Sequence, residues 1–190
     1  MSIRTFLAID LNDAIRQAYT LFQEQVSHVL PVKWVTPQAL HLTVKFLGDI
    51  EAEQIPIIEQ TVQNVVQDMA PFTLMIGGIG GFPTLQRPRI VWAGVSGDID
   101  ELEVLVSCLE SALSAAGCIQ EDRPYHPHLT LSRVKTYSRE IGRLIESVDL
   151  FKKPWLFGEL SVDRLCLFRS QLTPQGAIYS KLREWPFDEH

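Results

Sequence analysis

The sequence predicts an α+β fold: two pseudo-symmetric lobes of mostly antiparallel strands with helices outside, a duplicated unit around a central cleft. Three observations predict it. Strand-like and helix-like segments alternate along the whole 190 residues. Their order recurs after the middle of the chain. The tetrad His-Leu-Thr-aliphatic occurs twice, at His41-Leu42-Thr43-Val44 and His128-Leu129-Thr130-Leu131, and each copy opens a run with the two-residue period of a half-buried strand.

Thr5–Ile9 is short and apolar and reads as a strand. Asn12 suits an N-cap for a helix to about Val29, with Ile15, Tyr19, Leu21, Phe22 and Val26 on one side, ended by Pro31. In His41–Leu47 the alternation sets His41, Thr43 and Lys45 on one face and Leu42, Val44 and Phe46 on the other. A helix is expected from about Glu53 to Asp68 and a strand over Phe72–Ile76. Gly77, Gly78, Gly80, Gly81 and Pro83 then read as a loop, and Arg89–Val95 as a strand. The second round is a helix over Asp98–Ala116 ended by Gly117, the alternating His128–Val134, and a helix over Ser138–Val148. Strands at Trp155–Leu160 and Leu165–Phe168 and a short element at Ala177–Leu182 complete it.

Three segments align between the rounds: Arg4–Ala8 with Arg89–Ala93, His41–Val44 with His128–Leu131, and Pro71-Phe72 with Pro154-Trp155, at offsets of 85, 87 and 83 residues. That offset is too long for a solenoid and suits a duplicated lobe. The expectation is one bilobal domain over 1–190, with halves near 1–85 and 86–190 and C-terminal strands free to cross between lobes.

The formal charge of −6 argues against a protein that coats long nucleic acid, which needs a basic excess. The charge is uneven, however. Residues 46–86 and 90–122 hold 5 and 7 acidic residues and no Lys or Arg, while the remainder holds 11 acidic and 17 basic residues. A local basic cleft for a nucleic-acid terminus fits that distribution. Cys108, Cys118 and Cys166 are odd in number and lack a CxxC spacing, which fits a reducing compartment rather than a disulfide scaffold or zinc ribbon. The apolar run at residues 5–9 is too short for a signal or membrane-spanning segment. A cytoplasmic protein with no membrane contact and no obligate protein partner is expected.

Residues two apart on a strand share a face, so each His ring and its Thr hydroxyl address the same cleft. Imidazole titrates near neutral pH and serves as acid or base, and a hydroxyl can donate to a phosphate oxygen. Two such strands around a two-fold would place one His on each side of a phosphate, as in-line displacement requires.

These motifs are similar to those of the two-histidine (2H) phosphoesterase superfamily, in its branch of RNA 2',3'-cyclic phosphodiesterases, historically 2'-5' RNA ligases. Arg4–Ile9 resembles the family's first strand, and Trp34-Val35 with His41–Gly48 its first motif block. Arg87–Val95 resembles the central block, Pro127–Arg133 the second motif and Leu172–Tyr179 the C-terminal signature. Val44 and Ser132 are mild departures from the Leu and Ala most often found there. The resemblance implies a hydrolase that opens RNA-terminal 2',3'-cyclic phosphates to 2'-phosphomonoesters without metal or cofactor. It implies His41 as proton donor, His128 as proton acceptor, and Thr43 and Thr130 as phosphate-binding residues. Reverse, ATP-independent 2'-5' joining would use the same groups. The substrates implied are RNA termini or small cyclic nucleotides.

Further candidates are open. Phe46 and Arg133, each five residues after its His, could hold a base between ring and guanidinium, or Phe46 could be core and Arg133 a surface ion pair. Arg89 could touch phosphate or be structural. His126 and His128 could begin a metal site with His41, but neither tetrad holds a carboxylate or thiolate, so His126 reads better as a structural or rim residue. The glycines match no nucleotide-binding loop. Two readings compete with the leading one: a module that binds RNA ends without turnover, and a phosphodiesterase for another cyclic or 2'-5' nucleotide.

Overall fold

A computed structural model describes residues 2–174 and 176–188, the side chains of Asp149 and Leu150 excepted. Gln175 of the C-terminal signature, Met1 and His190 lie outside the described residues. The elements run β1 (Ser2–Asp10), α1 (Asp13–Val26), β2 (Lys33–Trp34), β3 (His41–Glu51), α2 (Ile55–Val66), β4 (Phe72–Phe82), β5 (Ile90–Gly97), α3 (Ile99–Ala115), β6 (His128–Arg133), α4 (Ser138–Ser147), β7 (Leu156–Val162), β8 (Arg164–Thr173) and β9 (Gly176–Pro186). The strands form one antiparallel sheet in the order β7-β4-β5-β6-β3-β1-β8-β9, with the short β2 on β6. Read outward from the β6–β3 junction, the two arms repeat one pattern: a His-bearing strand, its antiparallel partner, then a hairpin-like pair.

The ends of α1 follow from local chemistry. Asn12 Oδ1 accepts from Ile15 N at 3.0 Å, as its capping position requires. The helix stops at Val26, short of the expected Val29, because the chain turns there: Val29 N and Leu30 N both bond Val26 O, and Leu30 is fully buried. Ile15, Tyr19, Phe22 and Val26 form the buried stripe, but Leu21 is 59 % exposed. Six residues after Ile15, a 3.6-residue period places it about a third of a turn away from that stripe. Phe22 is edge-on to Trp34, Phe151, Trp155 and Phe157, and burial of one such ring stabilises by roughly 2–3 kcal/mol.

The glycine segment read as a loop is strand. Gly77, Gly80 and Gly81 pair with Gly94, Trp92 and Val91 within β4 and β5. A Cβ on Gly80 would lie 2.1 Å from carbons of the Trp92 indole. Glycine here makes room for a ring laid across the backbone, a packing requirement that looks like turn chemistry in a sequence.

The alternation of the two His strands is also interrupted. In β3, Thr43 pairs with Ala8 and Lys45 with Leu7, so Val44 is passed over. In β6, Thr130 pairs with Trp92 and Ser132 with Val91, so Leu131 is passed over. An inserted residue reverses the side-chain phase beyond it. Val44 and Lys45 are therefore both buried, as are Leu131 and Ser132. Lys45 does not join His41 and Thr43: its ammonium is buried and bonds Glu110 Oε2 at 2.6 Å and Ile119 O at 3.0 Å. Phe46 does not join Leu42 and Val44 in the core.

The same register corrects two of the three alignments. Ala8 and Trp92 hold equivalent places opposite Thr43 and Thr130, so Phe6 corresponds to Ile90 rather than Val91. The strands that follow Pro71 and Pro154, β4 and β7, are antiparallel neighbours and not equivalents.

Candidate active site

β3 and β6 meet at a single registered pair, Leu42 with Leu129. Counting one step either way sets His41 across from Thr130 and Thr43 across from His128. The four side chains occupy the corners of a quadrilateral with the histidines on one diagonal and the threonines on the other. Strand rise and interstrand spacing make that diagonal roughly 8 Å between Cα atoms. All four are half-buried, while Leu42 and Leu129 beneath them are wholly buried.

Each imidazole is held in the same way. His41 Nδ1 lies 2.8 Å from Ala39 O, and His128 Nδ1 lies 2.7 Å from His126 O. A carbonyl only accepts, so Nδ1 carries the proton in both rings. Nε2 is left as the base in the neutral form. In the protein without substrate, burial favours the neutral form of both rings: it lowers the His41 pKa to about 4, against the opposing effects of Ala39 O and the Asp10 carboxylate. His128 is also lowered, chiefly by burial, with the Arg133 and His126 charges adding.

Aromatic side chains complete each ring's seat. Phe6 lies 4.6 Å and Tyr179 4.9 Å from His41 between ring centroids, and Phe6 stacks on Phe168. Phe82 meets His128 edge-on at 5.0 Å and also packs on Trp92. Arg16 bonds Pro37 O, Leu40 O and the Asp10 carboxylate, so it organises the turn that presents Ala39 O. Tyr19 OH reaches Val35 O and Leu131 O, and Tyr125 OH donates to Thr43 O at 2.9 Å. These phenols fix both His strands at or beside their bulges.

The bulges bring Phe46 and Arg133 to equivalent positions on the face of the histidines and threonines. Phe46 pairs with Phe6 and Arg133 with Ile90. The Phe46 ring is 57 % exposed, and the Arg133 charge lies within electrostatic reach of both histidines. Arg89 is not drawn into this group. Its backbone joins Phe82 O and Val134 N, and its exposed side chain has no bond to the histidines among the described residues. His126 is a rim residue whose carbonyl orients His128. Among the described residues, no three His, Cys, Asp or Glu side chains are grouped to hold a metal. The sequence reading missed Phe6, Asp10, Arg16 and Phe82, because their proximity depends on cross-strand register. Tyr179 was visible within the C-terminal signature, but nothing local linked it to His41.

The profile of the 2'-5' RNA ligase superfamily matches residues 13–174. The chain belongs to this superfamily. It is 34 % identical over 181 residues to an RNA 2',3'-cyclic phosphodiesterase of Archaeoglobus fulgidus, covering 95 % of this chain and 98 % of that one. It is 34 % identical over 187 residues to an RNA 2',3'-cyclic phosphodiesterase of Thermotoga maritima, covering 98 % and 96 %. The crystal structure of E. coli LigT complexed with 3'-AMP superposes with a TM-score of 0.80 at 26 % identity, covering all of both chains. In this member of the 2'-5' RNA ligase superfamily, then, the two tetrads lie in one antiparallel sheet.

Proposed function

We propose that this chain hydrolyses RNA-terminal 2',3'-cyclic phosphodiesters to 2'-phosphomonoesters, the activity class for which its superfamily relatives are named. One observation carries the reading: two imidazoles, each with Nδ1 bonded to a carbonyl and Nε2 without a hydrogen bond among the described residues, stand on one diagonal of a single sheet face, and two threonine hydroxyls stand on the other. Binding alone does not need two proton-transfer groups aimed at one point.

The cyclic phosphate sits between the diagonals. Thr43 and Thr130 donate to its non-bridging oxygens, where charge accumulates in the transition state. His128 Nε2 takes a proton from water as the water oxygen bonds to phosphorus. The bond from phosphorus to O3' breaks, and His41, whose imidazolium form the bound phosphate anion favours, delivers its Nε2 proton to O3'. The 2'-phosphate remains, and the two histidines have exchanged protonation states. With a 5'-hydroxyl in place of water as the nucleophile, the same groups form a 2'-5' link: His128 takes the hydroxyl proton, O5' bonds to phosphorus, the bond to O3' breaks and His41 protonates O3'. Phe46 and Arg133 hold the terminal base. We further read the whole chain as one bilobal unit in the cytoplasm, where its three free cysteines fit a reducing environment.

Product analysis on an oligonucleotide ending in a 2',3'-cyclic phosphate, with excess EDTA present, tests this reading. A 2'-phosphomonoester formed at an undiminished rate is expected. A 3'-phosphate product, or activity abolished by chelator, overturns the corresponding part of the mechanism.

A further inference from the structure

Beyond Phe46 the same sheet holds a second basic feature. β1 alternation puts Arg4 on the face of Phe6, and the register sets Arg4 opposite Asp49, three residues past Phe46 on β3. A cavity of about 330 Å³ opens there, lined by Ser2, Arg4, Asp49, Arg169, Ser170 and Gln171 among others. Among the described residues neither Arg4 nor Arg169 makes an ion pair, although the chain carries six more acidic than basic residues. Arg4 lies four residues along β1 from Ala8, the partner of Thr43, so their Cα atoms are roughly 14 Å apart at the usual strand rise. The exposed Phe46 ring stands between.

We propose that this cavity is a binding site for a phosphodiester upstream of the reacting terminus, so that the protein grips RNA at two points. The proposal deepens the reading above and rests on it for the direction of the strand. Two guanidiniums supply planar donors for a phosphate, and the hydroxyls of Ser2 and Ser170 add neutral ones. Asp49 sets the charge that is accepted: beside a carboxylate, a diester with one negative charge is favoured over a terminal monoester with nearly two. The ligand is therefore internal backbone, not a second phosphorylated end. A base stacked on Phe46 would lie on the path between the two phosphate sites.

The test uses the intact protein and the variants R4Q, R169Q and their double. Kinetics are measured on a 2',3'-cyclic mononucleotide and on a cyclic-phosphate-ended oligonucleotide, together with binding of a labelled oligonucleotide ending in a 3'-hydroxyl. The double variant is expected to raise the oligonucleotide KM about tenfold with kcat held. It should also flatten the dependence of log(kcat/KM) on log salt by roughly one unit. The cyclic mononucleotide, too short to reach the cavity, should be turned over as by the original chain. Unchanged oligonucleotide KM and salt slope overturn the proposal, and so does a parallel loss on the mononucleotide. If neither substrate is hydrolysed yet salt-dependent oligonucleotide binding falls in the double variant, the cavity site stands and the catalytic reading fails.

Discussion

Arg16 ties the Asp10 carboxylate at the end of β1 to the turn that precedes His41. The same guanidinium bonds Pro37 O and Leu40 O, and Ala39 between them supplies the carbonyl that fixes His41 Nδ1. Among the described residues His128 has no such clamp: the place of Asp10 opposite it is taken by Gly94.

Arg16 is thus a positioning residue for His41. Replacement by Gln should lower kcat by ten- to a hundredfold, with KM changed less, since an ångström of misplacement at the reacting group is enough for such a loss. Arg16→Lys should recover part of the rate, because one charge can still reach Asp10. Imidazole ¹⁵N shifts provide the independent readout: Arg16→Gln should mix the His41 tautomers and leave those of His128 alone.

His41→Ala and His128→Ala should each reduce kcat by about 10²–10⁴. The double variant should be little worse than either single one, because in the proposed mechanism the two rings serve one proton relay. Single-turnover rates on a cyclic mononucleotide measure this directly. Losses that multiply in the double variant would show that the rings work separately.

The pKa of His41 sets the direction of a pH effect on stability. In the unfolded chain the ring titrates near 6.5, and in the fold near 4 because burial disfavours the cation. As pH falls between those values the unfolded chain takes up a proton that the folded chain refuses. This share of stability is complete above about pH 6.5 and is lost progressively toward pH 4, by an amount of order 2 kcal/mol. Urea unfolding at pH 7.5 and 4.5 should show a smaller difference for His41→Gln than for the original chain.

Substrate should move the same equilibrium the other way. A bound phosphate anion favours the imidazolium, so the optimum of kcat/KM, which reports the free protein, should lie at lower pH than that of kcat. Coincident pH profiles would contradict that.

Gly80→Ala should destabilise by roughly 1–3 kcal/mol, since its Cβ would occupy the space of the Trp92 ring. Gly78→Ala is a contrasting case: a Cβ there has open space, and the only strain comes from its φ of +69°. Equilibrium denaturation of Gly80→Ala with and without Trp92→Phe isolates the steric part, because the smaller ring should relieve it.

Much of the site is local in the chain and so could be read from it. The two tetrads, the capping by Asn12 and the helical stripe of Ile15, Tyr19, Phe22 and Val26 are short-range patterns that the fold retains. The surroundings of the histidines were not legible. Phe6 reaches His41 through β1–β3 register and Tyr179 through the curl of β8 and β9, and neither depends on sequence distance. Phe46 and Lys45 were assigned to the wrong faces for one reason. A bulge is invisible in an alternating pattern, because the extra residue, Val44, falls on an apolar place of the alternation, between Leu42 and Phe46.

The mirrored strand order has a consequence for how the chain comes together. β1 needs β8 along one edge, yet some 150 residues separate them, and β4, the strand after β3, starts the opposite arm with β5 and β6 still to fill the space between. While the N-terminal part is being synthesised, β1 and β3 form an unfinished ribbon with an apolar open edge. The protein therefore cannot assemble one half at a time, and its last two strands close the first half. A chain truncated before Arg164 should be prone to pair with copies of itself, and adding back a peptide of residues 164–188 should suppress that association.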